Sequence, residues 1–448
     1  MASTYLTRTP SGAGSNTVWT ISVWVKRGSL NAGKIHAAGT SNTYEFLFDD
    51  SNFGLTLYNG STTVFATTRA LRDTSAWYHI VLAYNTGNSG TDKVKLYING
   101  VQETAFSTDN RSSAGAMNNI NQAVAQYIGK THAGGFFDGS MSHFHLTDGT
   151  AYAASDFGET DATTGEWKIK TSPSVTYGTN GFFILKDGNS VTDQSGNSNN
   201  FIVAGGILNN TEDCPSNNFA TWNATDRWLG NTAGNGDFLR NGNNYFRTTS
   251  DAQKALVRST IGVTSGKYYC EMKVTQIERT WVGICNKQIF TSSSEWWTQS
   301  NNNGLYWYGN GTAMYDAQNN SGNAYGGFVN NDIVMIALDM DNKALYFGKN
   351  GTWQNSGNPE SGATKTGSVT EYSTLTNASY ALENYGEVYF MAGEPSTAGV
   401  GQVQANFGNG YFGTSAISSA GTNASGIGIF EYDVPAGYTA LSTKGLNL

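Results

Sequence analysis

The chain has 448 residues, 54 of them glycine, and 13% of its residues are aromatic while only 13% are charged. A hydrophobic content of 38% is too high for a disordered chain, and six prolines without a three-residue glycine period exclude collagen. The length allows two or three domains with sizeable cores. Because charges are scarce, Asn, Ser and Thr must supply the polar surface, which favours strands and turns over helices.

The charge balance and the cysteines exclude several classes of protein. The net charge is −8 and no run of Lys or Arg occurs, so we expect no nucleic-acid partner. No apolar run is long enough to span a membrane, and residues 1–8 lack the apolar core of a signal peptide. Cys214, Cys270 and Cys285 predict buried free thiols rather than a disulfide framework. These features favour synthesis in a reducing cytoplasm and no membrane insertion.

Turn signals separate short strand-like runs along the whole chain. Asn-Gly and Asp-Gly dipeptides recur between positions 59 and 410, and both favour hairpin turns. Residues 19–26 alternate, with Trp19 on the apolar face and Trp24 on the opposite face, where a ligand or another loop could cover it. Residues 333–338 are apolar on both faces and predict a central strand. The best helix candidate, residues 251–258, is barely two turns long. The sequence therefore predicts an all-β fold.

Two blocks of similar architecture follow each other. We expect a first domain over residues 1–212, a polar linker over 213–218 and a second domain over 219–412. Residues 413–448 are rich in Gly, Ser and Ala and predict a C-terminal extension with one short strand at 429–432.

Strand motifs in each block carry a family resemblance. In the first block these motifs lie at residues 19–26, 77–84, 95–100, 127–129 and 137–144. In this order they resemble the concanavalin A-like, laminin-G-like sandwich. In the second block they lie at residues 265–271, 281–284, 332–341, 345–351 and 405–408. These resemble a SPRY domain, with Met335 where that family commonly has Gly. The resemblance implies two concanavalin A-like antiparallel β-sandwich (jelly-roll) domains in tandem.

Five further stretches carry a second resemblance, at residues 148–152, 157–160, 163–167, 193–201 and 215–223. With the tandem domains they resemble virion proteins of tailed bacteriophages, especially phages of marine cyanobacteria and other marine bacteria. This implies a virion fibre or appendage protein, assembled in the host cytoplasm, that binds a host surface glycan or receptor and contacts other virion proteins. The alternative is an architectural protein that decorates the head or connects tail parts through protein–protein contacts. A homo-oligomer is expected, with a trimer favoured, because weak surface binding gains from multivalency.

The strongest candidate binding site is the polar, tryptophan-containing stretch at residues 290–303. Flat aromatic rings stack on the apolar faces of pyranose rings, while Asn and acidic side chains bind the hydroxyls. The alternative is that one tryptophan closes the end of the sandwich. The predicted ligand-binding residues are Glu295, Trp296, Trp297, Asn301 and Asn302.

No catalytic pair stands out, so we expect that the protein is not an enzyme. Some concanavalin-fold glycoside hydrolases, the laminarinase-type enzymes, carry alternating acids on one strand. Here Glu45 and Asp49 share a face, but Leu47 lies between them where the family has an acid. His143 and His145 share a strand face without a third metal ligand nearby in sequence.

Calcium is the one cofactor that the sequence leaves open. The stretch 193–204 begins like a calcium-binding loop but lacks the required Gly and Glu, so an EF-hand is rejected. Laminin-G-like folds sometimes hold calcium at the sandwich rim. This resemblance makes Asp138, with Asp49 or Asp50, the candidate ligand set. The alternative is that each aspartate only makes a turn.

Overall fold

The computed structural model describes residues 3–40, 43–186, 190–229, 238–248, 255–278, 280–287, 304–309, 314–315, 326–369, 382, 385–394 and 399–448. The chain forms two compact units. The first contains residues 1–210 with 214–216, and the second contains 211–213 with 217–448. Within the described ranges, no helix has the length and apolar character needed to cross a membrane.

The first unit is built from short strands joined by tight turns. Their bounds are β1 (Tyr5–Arg8), β2 (Val18–Arg27), β3 (Gly33–Ala38), β4 (Tyr44–Phe48), β5 (Leu55–Asn59), β6 (Thr62–Thr67), β7 (Trp77–Asn85), β8 (Val94–Ile98), β9 (Val101–Gln102), β10 (Phe106–Asp109), β11 (Gln126–Ile128), β12 (Gly139–Asp148), β13 (Gly158–Thr160), β14 (Trp167–Ile169), β15 (Phe182–Ile184) and β16 (Ile202–Ala204). Short 3-10 helices lie at Gly90–Lys93, Arg111–Ser113 and Ala154–Asp156.

Two antiparallel sheets enclose the core of this unit. Among the described residues, the larger has eight strands in the order β10-β6-β5-β4-β3-β11-β1-β16, and the smaller has six in the order β15-β12-β2-β7-β8-β9. Side chains alternate along a strand, so every second residue points inward. Trp19 stacks on Tyr84 inside the sandwich, with ring centroids 4.8 Å apart. The predicted apolar stripe of residues 19–26 is therefore confirmed.

The outer face of the six-stranded sheet is covered by residues 150–177. Trp24 faces this cover and is 5% exposed. Its ring stacks on His79 with centroids 4.7 Å apart, and the indole Nε1 of Trp167 donates to Nδ1 of His79 at 2.9 Å. Of the two alternatives for Trp24, cover by another loop is confirmed.

The second unit has the same two-sheet construction. Its strands are β17 (Trp222–Leu229), β18 (Leu239–Arg240), β19 (Tyr245–Arg247), β20 (Ala255–Ser259), β21 (Lys267–Gln276), β22 (Trp281–Asn286), β23 (Gly304–Tyr308), β24 (Met314–Tyr315), β25 (Ile333–Asp339), β26 (Ala344–Lys349), β27 (Thr352–Trp353), β28 (Val388–Glu394), β29 (Gln402–Asn406), β30 (Tyr411–Phe412), β31 (Ser415–Ala416) and β32 (Thr439–Ala440). Short 3-10 helices lie at Gln354–Ser356, Pro359–Thr364 and Gly445–Asn447.

The strand order explains which apolar runs are buried on both faces. In the described part of this unit one sheet runs β17-β20-β28-β22-β23-β24 and the other β18-β19-β29-β21-β25-β26-β27, with β32 beside β21. Strand β25 lies between β21 and β26, and all of its residues are buried, which confirms the central strand predicted at 333–338. Cys270 and Cys285 are buried free thiols as predicted, whereas Cys214 is only half-buried.

Two sequence-based predictions of secondary structure are wrong. Residues 255–259 form strand β20 rather than helix, because β17 and β28 pair with it on both sides, while residues 251–254 lie outside the described residues. The strand predicted at 429–432 is reduced to one isolated bridge between Ile429 and Asn409. Here the backbone N–H groups of Glu431 and Tyr432 donate to the Glu271 carboxylate instead of to a neighbouring strand.

Candidate functional site

The predicted glycan-binding stretch lies outside the described residues. Glu295, Trp296, Trp297, Asn301 and Asn302 all belong to it. This site therefore stays a prediction.

The candidate calcium ligands lie at one end of the first sandwich. Phe48 and Phe137, which directly precede Asp49 and Asp138, stack with ring centroids 6.0 Å apart. The Asp49 carboxylate accepts the backbone N–H of Ser51 at 2.8 Å and also its hydroxyl, and these bonds lower the pKa of Asp49. Asp49 therefore closes a turn.

Asp50 and Asp138 are exposed beside this turn. The backbone carbonyl of Asp138 accepts the N–H of Gly28 at 2.8 Å. In the described part of the chain, no group of three or more His, Cys, Asp or Glu side chains could hold a metal ion. Because calcium also accepts backbone carbonyls and water, the rim site stays a prediction.

The stretch that begins like a calcium loop has another role. The Asp193 carboxylate accepts the backbone N–H groups of Phe183, Ser195 and Asn199 at 2.8–2.9 Å, and the Ser195 hydroxyl at 2.8 Å. These bonds occupy both oxygens with donors from the loop itself and from strand β15. Asp193 therefore fixes the fold of this loop.

His143 and His145, noted in the sequence, and the neighbouring His79 all have structural contacts. His143 Nδ1 bonds the Ser142 hydroxyl at 2.8 Å. His79 bonds Ser22 through Nε2 at 2.9 Å and accepts from Trp167 at Nδ1. His145 bonds the Tyr177 hydroxyl at 2.9 Å, and its ring stacks on Phe183 at 3.9 Å. Burial lowers the pKa of the imidazoles of His79 and His145. They pack under the covering segment as neutral rings.

A row of three half-buried side chains and the buried Ala37 crosses the outer face of the eight-stranded sheet of the first unit. Ala37 pairs with Tyr127 on one side and Glu45 on the other, and Glu45 pairs with Tyr58. These residues share a face because their neighbours along each strand point into the core. Three strand spacings of roughly 4.8 Å place Tyr127 and Tyr58 about 14 Å apart across the sheet. Between these two tyrosines, Lys34 Nζ lies 2.8 Å from a carboxylate oxygen of Glu45.

A cluster of rings extends this face at one end. It contains three aromatic side chains and one lysine, and we call it the aromatic cluster: Tyr5, Tyr127, Phe136 and Lys130. The ring centroid of Tyr5 lies 6.3 Å from that of Tyr127 and 6.3 Å from that of Phe136. All four side chains are half-buried, so each keeps a part of its surface accessible. Pairing of β1 with β11 brings Tyr5 and Tyr127 together.

This arrangement supplies the chemistry that sugars require. Aromatic ring faces provide apolar contact, and Lys130 and the Lys34–Glu45 pair provide hydrogen-bonding groups beside them. Glu45 is occupied by Lys34 and accepts the Thr43 hydroxyl at 3.2 Å. The aromatic cluster was not predicted from the sequence. Tyrosines on the polar face of the short strands β1 and β11 could have indicated an exposed aromatic surface.

The two sandwiches define a protein of tandem concanavalin-type β-domains, and family models identify each domain. Residues 2–155 match the concanavalin A-like lectin/glucanases superfamily, and residues 267–390 match the SPRY domain. The chain therefore contains a concanavalin A-like, laminin-G-type domain and a SPRY domain. No curated protein matches the chain.

Three solved structures are examples of proteins that are similar to part of this chain. The SPRY domain of human HERC1 is 15% identical over 41% of this chain and 96% of its own, with a TM-score of 0.30. A heptameric SAP-like pentraxin from Limulus polyphemus is 19% identical over 34% of this chain and 71% of its own, at 0.26. Domain 4 of AbnA, an extracellular arabinanase from Geobacillus stearothermophilus in complex with arabinotriose, is 18% identical over 32% and 67%, at 0.26.

Proposed function

We propose that this protein is a non-enzymatic fibre or appendage of a tailed-phage virion that recognises glycans on the host cell surface. The virion role rests on the sequence resemblance, and the presence of a domain of the lectin/glucanase superfamily supports sugar recognition. The observation that carries the proposal is the half-buried aromatic cluster beside the Tyr127–Tyr58 row on one sheet face. Such a surface binds pyranose rings by stacking.

Cell binding tests this proposal and separates the two candidate sites. Purified protein should bind host cells, and oxidation of the cell-surface glycans with periodate should abolish this binding. The double variant Tyr5→Ala/Tyr127→Ala tests the aromatic cluster, and Trp296→Ala/Trp297→Ala tests the sequence-predicted stretch. Tyr245→Ala, which removes a half-buried tyrosine of the second unit, is the matched control. Binding that survives periodate would contradict glycan recognition.

The proposal that the protein is not an enzyme has its own test. The one acidic pair that the sequence offered is Glu45 with Asp49, and both carboxylates are engaged, by Lys34 and by Ser51. Incubation with host polysaccharide should therefore release no reducing ends. Measurable release that is lost in Glu45→Gln would show that the protein is a hydrolase.

An architectural role is the second candidate, and one observation favours it. Ile202 on strand β16 and the nearby Ile207 are 69% and 66% exposed. Strand β16 ends the described strand order of the eight-stranded sheet, and apolar side chains on a sheet edge favour pairing with another protein. This role predicts tight binding to another virion protein that Ile202→Lys weakens, with no binding to host cells.

A further inference from the structure

Lys130 places a positive charge inside the aromatic cluster. Its Nζ lies 3.8 Å from the ring centroid of Tyr5, 5.4 Å from that of Tyr127 and 5.8 Å from that of Phe136. A cation within about 6 Å of a ring centroid is attracted by the ring quadrupole. Three rings from separate segments therefore hold one ammonium on this sheet face.

Lys130 differs from Lys34 in its charged neighbours. In the part of the chain that the structure describes, no carboxylate lies within 4.0 Å of Lys130 Nζ, whereas Lys34 on the same face is paired with Glu45 at 2.8 Å. Ring faces attract the ammonium but do not use its hydrogen-bond donors as a carboxylate would. A lysine ammonium has three N–H donors and no acceptor. Those donors are available to an anionic ligand that reaches the half-buried side chain.

We infer that the aromatic cluster selects a saccharide that carries an isolated anionic group, a carboxylate or a phosphate. This inference rests on the proposed glycan recognition and names its ligand class. The sugar packs against the accessible ring surface while the anionic group accepts from Lys130. Hydrogen bonds between ionised partners are about twice as strong as neutral ones, so the acidic group supplies selectivity over a neutral sugar.

The net charge of the chain narrows this ligand class further. At −8, the protein repels a densely charged polyanion at long range. On this face Lys34 is paired with Glu45, so the single ammonium of Lys130 matches one acidic group within several neutral sugars. A bacterial surface polysaccharide with one acidic group per repeat fits these conditions better than a polyuronate.

Titrations with matched oligosaccharides test this inference on the full chain. Binding is first screened on an array of neutral oligosaccharides together with their uronate and phosphorylated counterparts. An acidic oligosaccharide should bind at least about tenfold more tightly than its neutral counterpart. Its affinity should fall as NaCl rises from about 0.05 to about 0.5 M, because salt screens exposed charges. The uronate and phosphate arms show which acid is recognised, and equal binding of neutral and acidic members would overturn the inference.

Charge variants separate recognition from packing. Lys130→Met keeps an apolar stem over Tyr5 but removes the charge, so it should lose the preference for the acidic ligand while keeping the melting temperature. Lys130→Arg should retain the preference, and Lys444→Met controls for loss of one exposed positive charge. An undiminished preference in Lys130→Met contradicts the inference.

The binding-site variants distinguish failure of this inference from failure of the proposed function. If glycans bind but only Trp296→Ala/Trp297→Ala abolishes binding, the proposed function stands and this inference falls. If no glycan binds the wild-type chain, both fall.

Discussion

His36 is a titratable residue at the centre of the first sandwich. It is fully buried, its ring lies 5.5 Å from Tyr44 and 5.9 Å from Phe144, and neither ring nitrogen bonds a described residue. Burial lowers the pKa of His36 from 6.5 to about 3. Burial, with a smaller contribution from His143, also lowers the pKa of His79 to about 3. Both histidines are therefore neutral in the folded protein at physiological pH.

These histidines make the first unit sensitive to acid. Between about pH 6.5 and about pH 3 the unfolded chain binds protons that the folded imidazoles do not, so stability falls as pH falls through this window. His36→Leu removes one such group, and thermal unfolding of the first unit should then depend less steeply on pH. Identical pH dependence in wild type and His36→Leu would show that His36 does not contribute.

Glu271 in the second unit has the opposite effect. It is fully buried and accepts from the Tyr269 hydroxyl at 3.0 Å, from Asn406 Nδ2 at 3.3 Å, and from the N–H groups of Glu431 and Tyr432 at 2.9 and 2.8 Å. Burial raises the pKa of Glu271 to about 7, although the four donors act in the other direction. The contribution of Glu271 to stability is therefore largest below about pH 4.5 and is lost as pH rises to about 7.

Replacing this carboxylate tests both its bonds and its titration. In Glu271→Gln the amide N–H₂ brings two donors, one more than the protonated carboxyl, toward groups that donate, which should destabilise the second unit by about 1–3 kcal/mol at acidic pH. Glutamine at position 271 does not titrate, whereas the wild-type Glu271 loses its stabilising contribution as pH rises to about 7. The difference in melting temperature between the variant and the wild type should therefore narrow over this pH range. Glu431→Gln, a half-buried neighbour, is the control and should change little. A difference that stays constant with pH would contradict the raised pKa.

At the scale of elements, Trp167 is one of the residues through which the segment 150–177 contacts the six-stranded sheet. Its indole donates to His79 and lies so close to Gly100 and Gly158 that a Cβ at either position would stand 2.5 Å from it. Trp167→Ala should therefore destabilise the first unit by about 2 kcal/mol or more, measured by denaturant unfolding. Trp353→Ala in the second unit is the control for loss of a tryptophan. If the unfolding free energy of the first unit is unchanged in Trp167→Ala, other contacts hold this segment on the sheet.

The elements also show what the sequence could predict. Alternation at 19–26 and the two-sided apolar run at 333–338 are local patterns, and both strands formed as expected. Residues 255–259 became a strand because distant partners pair with them, and pairing at 429–432 is replaced by bonds to Glu271. The aromatic cluster depends on the pairing of β1 with β11, more than a hundred residues apart, and no local pattern contains that information.

At the scale of the whole molecule, the proposed attachment role favours an oligomer. A single sugar site binds weakly, and several copies on one particle raise the overall avidity without new contacts. Light scattering coupled to size exclusion should therefore give a mass of about three times 48.0 kDa. A monomer at micromolar concentration would contradict a trimer that assembles without other virion proteins.

Calorimetric titration of the purified protein with host surface polysaccharide tests glycan recognition through the aromatic cluster most directly. We predict saturable binding by the wild-type chain, and loss of binding in Tyr5→Ala/Tyr127→Ala at an unchanged fold by circular dichroism. Wild-type affinity in that double variant, or no heat of binding for the wild-type chain, would contradict this account.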